Sequence, residues 1–324
     1  MQGNSRLAVL VPVFNAGDNL LRSINSCAGA GLGPDDYEIL VVDNCSTDGA
    51  TDGLPSFDRM GAPIHLFRND SNIGRVGNWN RSVDIALEMG FRYITFLFAG
   101  DRWLPDSCLP GLLHLMRGYK AAVAFTPFVI SRENGLAKRE SQRFYVEGSN
   151  IVCSSESFLE TLLESGLFPL GPLQANIYCI RPDHRPWFDT TEPSRTDVEA
   201  TLDFVHKSRG PVLIGSKPFF EWREYAGRFH MSMGTGRTIE DYMETFQTAC
   251  KRVGLPINYG RAKARVVLNS LRLMITDAPV RQWPWLLSVI AGCALRTPYH
   301  VSVFHFFGTL WSRYGRGRRL LQFG

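Results

Sequence analysis

Tyr37-Glu38-Ile39-Leu40-Val41-Val42-Asp43-Asn44-Cys45-Ser46-Thr47-Asp48-Gly49 changes character at a single residue. A run rich in β-formers gives way at Asp43 to turn-forming and polar residues, as expected of a buried strand that delivers a carboxylate to its carboxyl end. Similar apolar runs occur at 7–13, 63–68, 93–98 and 121–130, and helix-like segments at 18–29, 47–54 and 76–89 lie between the runs. Ser46 or Thr47 is available to cap the second of these helices. Strands alternating with helices predict an α/β fold with a mainly parallel sheet flanked by helices. In such sheets ligands bind beyond the carboxyl ends of the strands.

At 324 residues, with 44% hydrophobic and 20% charged residues, the chain can bury a large core. The composition is that of a soluble globular enzyme. The seven cysteines, Cys27, Cys45, Cys108, Cys153, Cys179, Cys250 and Cys293, form no C-x-x-C pair, which predicts reduced thiols. The apolar run from Leu7 contains Pro12 and runs into Asn15 and Gly17, so it lacks the form of a signal peptide. A cytoplasmic location is expected.

The net charge of +4 is unevenly spread. Residues 256–324 hold ten Lys or Arg against the single acid Asp277. Such a segment is drawn to anionic surfaces, either membrane lipid or nucleic acid. Its uncharged stretches 282–295 and 297–312 fall short of the ~18 residues of a spanning helix, and Pro284 and Pro298 interrupt them. It can lie on a bilayer without crossing it. Nucleic acid is the weaker reading, because the rest of the chain is net acidic and contains no recognised nucleic-acid module.

Beyond residue 130, Asn134-Gly135 predicts a hairpin or loop within 131–148. A strand is expected at 174–180, and a helix from Thr196 to about Arg209-Gly210. In 239–253, Ile239, Tyr242, Met243, Phe246, Cys250 and Val253 share one helical face, with Thr238 and Asp241 spaced as a capping box. Two or three further helices are expected over 258–313.

G-x-G-x-x-G after the first strand, G-x-x-x-x-G-K-[ST], H-E-x-x-H and G-x-S-x-G do not occur, which disfavours dinucleotide redox, P-loop, zincin and nucleophile-elbow chemistry. The motifs that do occur, in order, are Pro12-Val13-Phe14-Asn15, then Val41 to Gly49, Asn72-Ile73-Gly74-Arg75, Asn78-Trp79-Asn80-Arg81 and Phe96-Leu97-Phe98-Ala99-Gly100-Asp101. This ordered set resembles the family 2 glycosyltransferases of GT-A fold over residues 6–230.

The resemblance implies inverting transfer of a sugar from a nucleoside-diphosphate donor to an acceptor hydroxyl. It also implies a divalent cation, Mg or Mn, held by a D-x-D motif. The domains would be a catalytic region 1–230, with donor half 1–118 and acceptor half 119–230, and a basic helical extension 231–324. The acceptor would be a growing polysaccharide or a lipid-linked saccharide. A sugar-binding or scaffolding member of the same fold without catalysis is the alternative.

By the same resemblance, Pro12, Phe14, Asn15, Asp43, Asn44, Asn72, Gly74, Arg75, Asn78, Gly100 and Asp101 would bind the donor. From residue chemistry, Asp43 is either a nucleoside ligand or a turn aspartate capping the segment after Ser46. Asp101 is either an exposed carboxylate able to hold a hard cation or a loop aspartate ahead of a helix that starts at Pro105. The D-x-D positions read Ala99-Gly100-Asp101, so the first carboxylate is missing.

Asp197 is the candidate general base, with Asp189 and Glu192 as rivals. The other reading places it in the first turn of a helix behind the capping box Thr196-x-x-Glu199. Arg75 and Arg81 suit phosphate oxygens or a solvated helix face. His230, or Arg223, would be a late metal- or phosphate-binding residue. Trp103, Trp187 and Trp222 are candidates for sugar stacking or for the core.

Overall fold

The computed structural model describes residues 4–59, 61–132, 139–140, 149–165, 172–185, 187–190, 196–224, 235–254, 262–268, 270–271 and 280–296. They form two compact units, one from 1–155 and 169–228, the other from 156–168 and 229–324.

The first unit is built on strands β1 (Asn4–Val13), β2 (Tyr37–Asp43), β3 (Ile64–Arg68) and β4 (Phe91–Phe96), all parallel in the order β3-β2-β1-β4. Leu7 to Val11 have no exposed surface and every residue of β2 is buried, because helices cover both faces of a parallel sheet. Each fully buried aliphatic side chain stabilises by about 1.5–3 kcal/mol. Helix α1 (Asn19–Cys27) buries Leu20, Ile24 and Cys27 on one stripe, and α2 (Arg75–Glu88) buries Val76, Trp79, Val83 and Ala86 on another.

After β4 come β5 (Arg102–Trp103), helix α3 (Leu109–Tyr119), β6 (Val123–Phe125), β7 (Val129–Arg132), β8 (Arg139–Glu140) and β9 (Ile151–Cys153). Helix α4 (Ser155–Ser165), β10 (Asn176–Cys179), α5 (Thr196–Ser208), β11 (Val212–Ile214) and β12 (Phe220–Glu224) complete the series. The large sheet continues from β4 through antiparallel β10 to β6, β11 and β9. A second sheet runs β5-β12-β7-β8.

Three local expectations are corrected. The run 121–130 splits into β6 and β7, which join different sheets, because Pro127 between them has no N–H to donate to a ladder. Segment 47–54 forms turns instead of a helix: Gly49 and Gly53 take φ of 74° and 70°, left-handed values that end helical propagation. Helix α6 (Thr235–Val253) starts three residues before Thr238, so Thr238 already has helical backbone and cannot be the cap. β7 and β8 pair antiparallel around 133–138, while Asn134-Gly135 itself lies outside the described residues.

In the second unit α6 buries Met243, Phe246, Cys250 and Val253. Helical turns at 262–268 and 270–271 and a helix Trp283–Arg296 come after it. Among the described residues no helix is long and apolar enough to cross a membrane. Six described cysteines are free thiols.

Candidate active site

β1 is flanked by β2 on one side and β4 on the other, so the order in which successive parallel strands are added reverses at β1, from β2 and β3 on one side to β4 on the other. That switch point is where an open α/β sheet leaves a crevice beyond its strand ends. Phe14 and Asn15 leave β1 there, and Phe98 to Asp101 leave β4.

The Phe98–Asp101 turn is held from α1. Gly100 takes φ 98°, a value that suits glycine, and its N–H donates to Ser23 Oγ at 2.9 Å. The Ser23 hydroxyl donates in turn to the Asp101 carbonyl at 2.6 Å, and Trp103 N–H donates to Ser26 Oγ at 3.0 Å.

Asp101 corrects the expectation of an exposed carboxylate. It is 1% exposed, with Gln174 Nε2 donating to Oδ2 at 2.8 Å and the Arg223 backbone N–H donating to Oδ1 at 3.0 Å. The second sheet causes this. Pairing of Trp103 with Phe220 and Arg102 with Glu221 brings β12 over the turn, reinforced by Arg102 Nε and Nη2 donating to buried Glu221. Ala99 and Gly100 offer no side-chain ligand, and Phe98 is an aromatic. Among the described residues no group of three His, Cys, Asp or Glu could hold a metal ion. At this turn the chain therefore presents no exposed carboxylate to a divalent cation. His230 lies outside the described residues.

Asp43 is likewise taken up internally. Its side chain has no exposed surface; Ser46 N–H donates to Oδ1 at 2.9 Å, the Thr51 hydroxyl to Oδ2 at 3.4 Å, and Arg68 Nη1 lies 3.2 Å from Oδ2. These partners are those of a turn aspartate, one of its two readings. It shapes the loop beyond β2.

An asparagine network joins that loop to the segment entering α2. Asn44 Nδ2 donates to Asn72 Oδ1 at 2.7 Å, while Asn44 Oδ1 accepts from Asn69 Nδ2 and Ile73 N–H at 3.0 Å each. Asn69 also donates to Asn78 Oδ1, and Asn78 Nδ2 to the Val42 carbonyl, both at 2.9 Å. Asn72 Oδ1 further accepts from Gly74 N–H at 2.8 Å. Asn44 and Asn78 are buried, and a satisfied buried network of this kind rigidifies the segments it joins. Asn15, at φ 48°, closes the next contact: its N–H donates to Ser46 Oγ and its Oδ1 accepts from Thr47 N–H, both at 2.9 Å. Pro12 is partly buried, whereas Phe14 is 50% exposed.

Arg75 opens α2 after Gly74, whose φ of 78° turns the chain into the helix. Its guanidinium sits 4.8 Å from the centroid of the Trp79 ring, a cation–π contact. Trp79 stacks on Phe98 with centroids 5.2 Å apart and planes 11° from parallel, and meets Phe188 edge-on at 5.4 Å. Asn80 fixes Phe188 by a two-way pair, donating to its carbonyl at 3.0 Å and accepting from its N–H at 2.9 Å.

Asp197 is the second residue of α5, and Val198 N–H donates to its Oδ1 at 2.9 Å. Burial raises its pKa above the ordinary 3.8, partly offset by the Val198 N–H and by the Arg75 charge. Burial lowers the Arg75 pKa and the Asp197 carboxylate pulls it back up, so the two charges lie within electrostatic reach. The fold thus brings Arg75 and Asp197 together across 122 residues of sequence.

Other candidates are placed elsewhere. Trp103 is core, 1% exposed between Tyr37 and Phe219. Trp187 packs beside His184 and Phe204, and Trp222 against Phe128. Arg81 lies 3.8 Å from Glu88 on an exposed face of α2. Asp189 is exposed and Glu192 lies outside the described residues. Sequence reasoning missed Ser23, Gln174 and the Trp79–Phe98 stack. Trp79 and Phe98 stand inside the ordered motifs, but nothing local signals their pairing.

The sequence pattern of glycosyl transferase family 2 matches residues 8–170, half of the chain. TuaG of Bacillus subtilis (strain 168), a glycosyltransferase named for teichuronic acid biosynthesis, is 28% identical over 129 residues, 40% of this chain and 49% of TuaG. The matched region thus spans about half the length of that relative. Among solved structures, S. aureus TarS 1–349 in complex with UDP-GlcNAc has a TM-score of 0.63 at 14% identity, covering 90% of this chain and 82% of TarS 1–349. The mannosyltransferase PcManGT from Pyrobaculum calidifontis, in complex with GDP-Man and Mn2+, has a TM-score of 0.50 at 12% identity, covering 98% and 90%. The ordered motifs, the switch-point crevice and these likenesses converge: the chain belongs to glycosyl transferase family 2 and has the GT-A fold.

Proposed function

We propose that the first compact unit transfers a sugar, with inversion, from a nucleoside-diphosphate sugar to a saccharide hydroxyl, with Asp197 as general base. The observation that carries this reading is the placement of Asp197 in the first turn of α5, its Oδ1 fixed by Val198 N–H at 2.9 Å, with the Arg75 charge in electrostatic reach. A hydroxyl is a poor nucleophile at neutral pH. Asp197 accepts its proton as the new bond to the anomeric carbon forms and the bond to the nucleoside diphosphate breaks on the opposite face. A carboxylate made more basic by burial suits that task.

Exposed Phe14 offers an aromatic face to the nucleobase, and the chain around Pro12, Asn15 and Gly100 forms the crevice floor. Asp43, Asn44, Asn72 and Asn78 hold that floor in shape, and Gly74 directs Arg75 toward the diphosphate. The naming of TuaG for teichuronic acid biosynthesis favours an acidic polysaccharide, or its lipid-linked precursor, as acceptor.

A panel of UDP-, GDP-, ADP- and dTDP-sugars, each assayed for stabilisation and for released nucleotide, tests the proposal. One donor is expected to raise the melting temperature and release its nucleotide in the presence of saccharide acceptor. Stabilisation without release by any donor favours the sugar-binding, non-catalytic reading.

The basic second unit docks on an anionic bilayer surface in this proposal. Helix Trp283–Arg296 leaves Trp285 56% and Leu287 46% exposed, beside exposed Arg281, the pairing of apolar and basic side chains that interfacial helices use. Flotation with phosphatidylglycerol vesicles is expected for the full chain, reduced on removal of residues 299–324. Equal flotation with neutral vesicles removes the electrostatic part of the proposal.

A further inference from the structure

Two solved neighbours, PcManGT and GalNAc-T7, were crystallised with Mn2+, and in this chain the D-x-D positions fall at the carboxyl end of β4, where no exposed carboxylate is presented. Phe98 is stacked on Trp79, Ala99 and Gly100 have no ligating side chain, and Asp101 is sealed beneath the turn with Gln174 and the Arg223 N–H on its two oxygens. The departing diphosphate still develops negative charge that something must offset.

We infer that Arg75, seated on Trp79, neutralises the donor diphosphate in place of a divalent cation coordinated by the chain. The stack links the two halves of this substitution. Phe98, one residue before the D-x-D positions, leans on the indole that carries the guanidinium, so the aromatic at the strand end becomes part of the platform for the replacement charge. A guanidinium presents several N–H donors in a planar fork and matches two phosphate oxygens at once. Two other cations near the crevice serve the loops themselves: Arg68 bonds Asp43 and the Ser46 carbonyl at 2.7 Å, and Arg102 bonds Glu221. Asp197 lies within electrostatic reach of Arg75, so the charge that would meet the leaving group also acts on the proposed base.

This inference rests on the nucleotide-sugar reading above, and the test separates the two. Calorimetric titration with UDP, GDP, ADP and dTDP, and with the corresponding nucleosides, is run in excess EDTA and again with Mn2+ or Mg2+. The accepted nucleoside diphosphate is expected to bind equally, within about twofold, in both conditions. Arg75→Ala is expected to weaken it by about tenfold or more, Arg75→Lys by less, with nucleoside affinity unchanged in both variants. Binding only in the presence of a cation, or equal loss of nucleoside and nucleoside diphosphate in Arg75→Ala, overturns the inference and leaves the nucleotide-sugar reading standing. Failure of every nucleotide to bind in either condition overturns that reading and this one with it.

Discussion

Asp197→Asn is expected to lower kcat by about 10²- to 10⁴-fold, the usual worth of a positioned general base, with donor affinity near native and a melting temperature no lower. The amide keeps an acceptor for Val198 N–H and removes a carboxylate whose ionised form burial disfavours. A positioning residue at a helix N-terminus would behave differently, since its loss lowers stability along with activity. The linkage has a definite sign. Because the folded pKa of Asp197 lies above 3.8, the folded chain binds the extra proton more tightly than the unfolded one. Wild-type stability relative to Asp197→Asn therefore falls as pH rises from 3.8 through the folded pKa, and levels off above it. Activity has the opposite slope, because the ionised form is the base: kcat/KM declines as pH is lowered through the raised pKa. Arg75→Ala removes a charge that lowers this pKa, so its acid limb moves to higher pH. Native turnover by Asp197→Asn, or an acid limb at the ordinary carboxylate value, refutes the assignment.

The second large effect is on stability. Asp101→Ala is expected to cost about 2–4 kcal/mol, because it leaves the Arg223 N–H and the Gln174 amide without their buried acceptor and loosens the turn from β12. Asp101→Asn should cost less, about 1 kcal/mol: one oxygen still accepts from Arg223 N–H, and Gln174 can rotate its amide to receive the new NH2. Were Asp101 instead a cation ligand, Asn would abolish turnover at unchanged stability. Urea unfolding of both variants, with nucleotide affinity measured in parallel, distinguishes the cases. Unaltered midpoints would dismiss the clamp.

The contrast between Asp101 and Asp197 shows where legibility ends. Both stand out in the sequence as a carboxylate beside an apolar run or a helix start, and residue type does not separate a ligand from a capping or turn acid. For Asp43 and Asp101 the deciding partners are hydrogen-bond donors from other segments. Some of these lie close by, as Ser46 does for Asp43. Others are remote, as the Arg223 N–H is for Asp101, 122 residues away.

By itself the sequence determined the family, the parallel half of the sheet, and helices α1, α2 and α5. The strands and helices depend on apolar periodicity within a few residues, which burial enforces whatever the remote chain does, and the family rests on the ordered motifs. Tertiary structure alone decided that Asp43 and Asp101 turn inward, that Trp79 and Phe98 stack, that four asparagines join two loops, and that Arg75 meets Asp197. Except for the local partners of Asp43, these are interactions between segments separated in the chain, and their energy is felt only after the intervening sheet has formed.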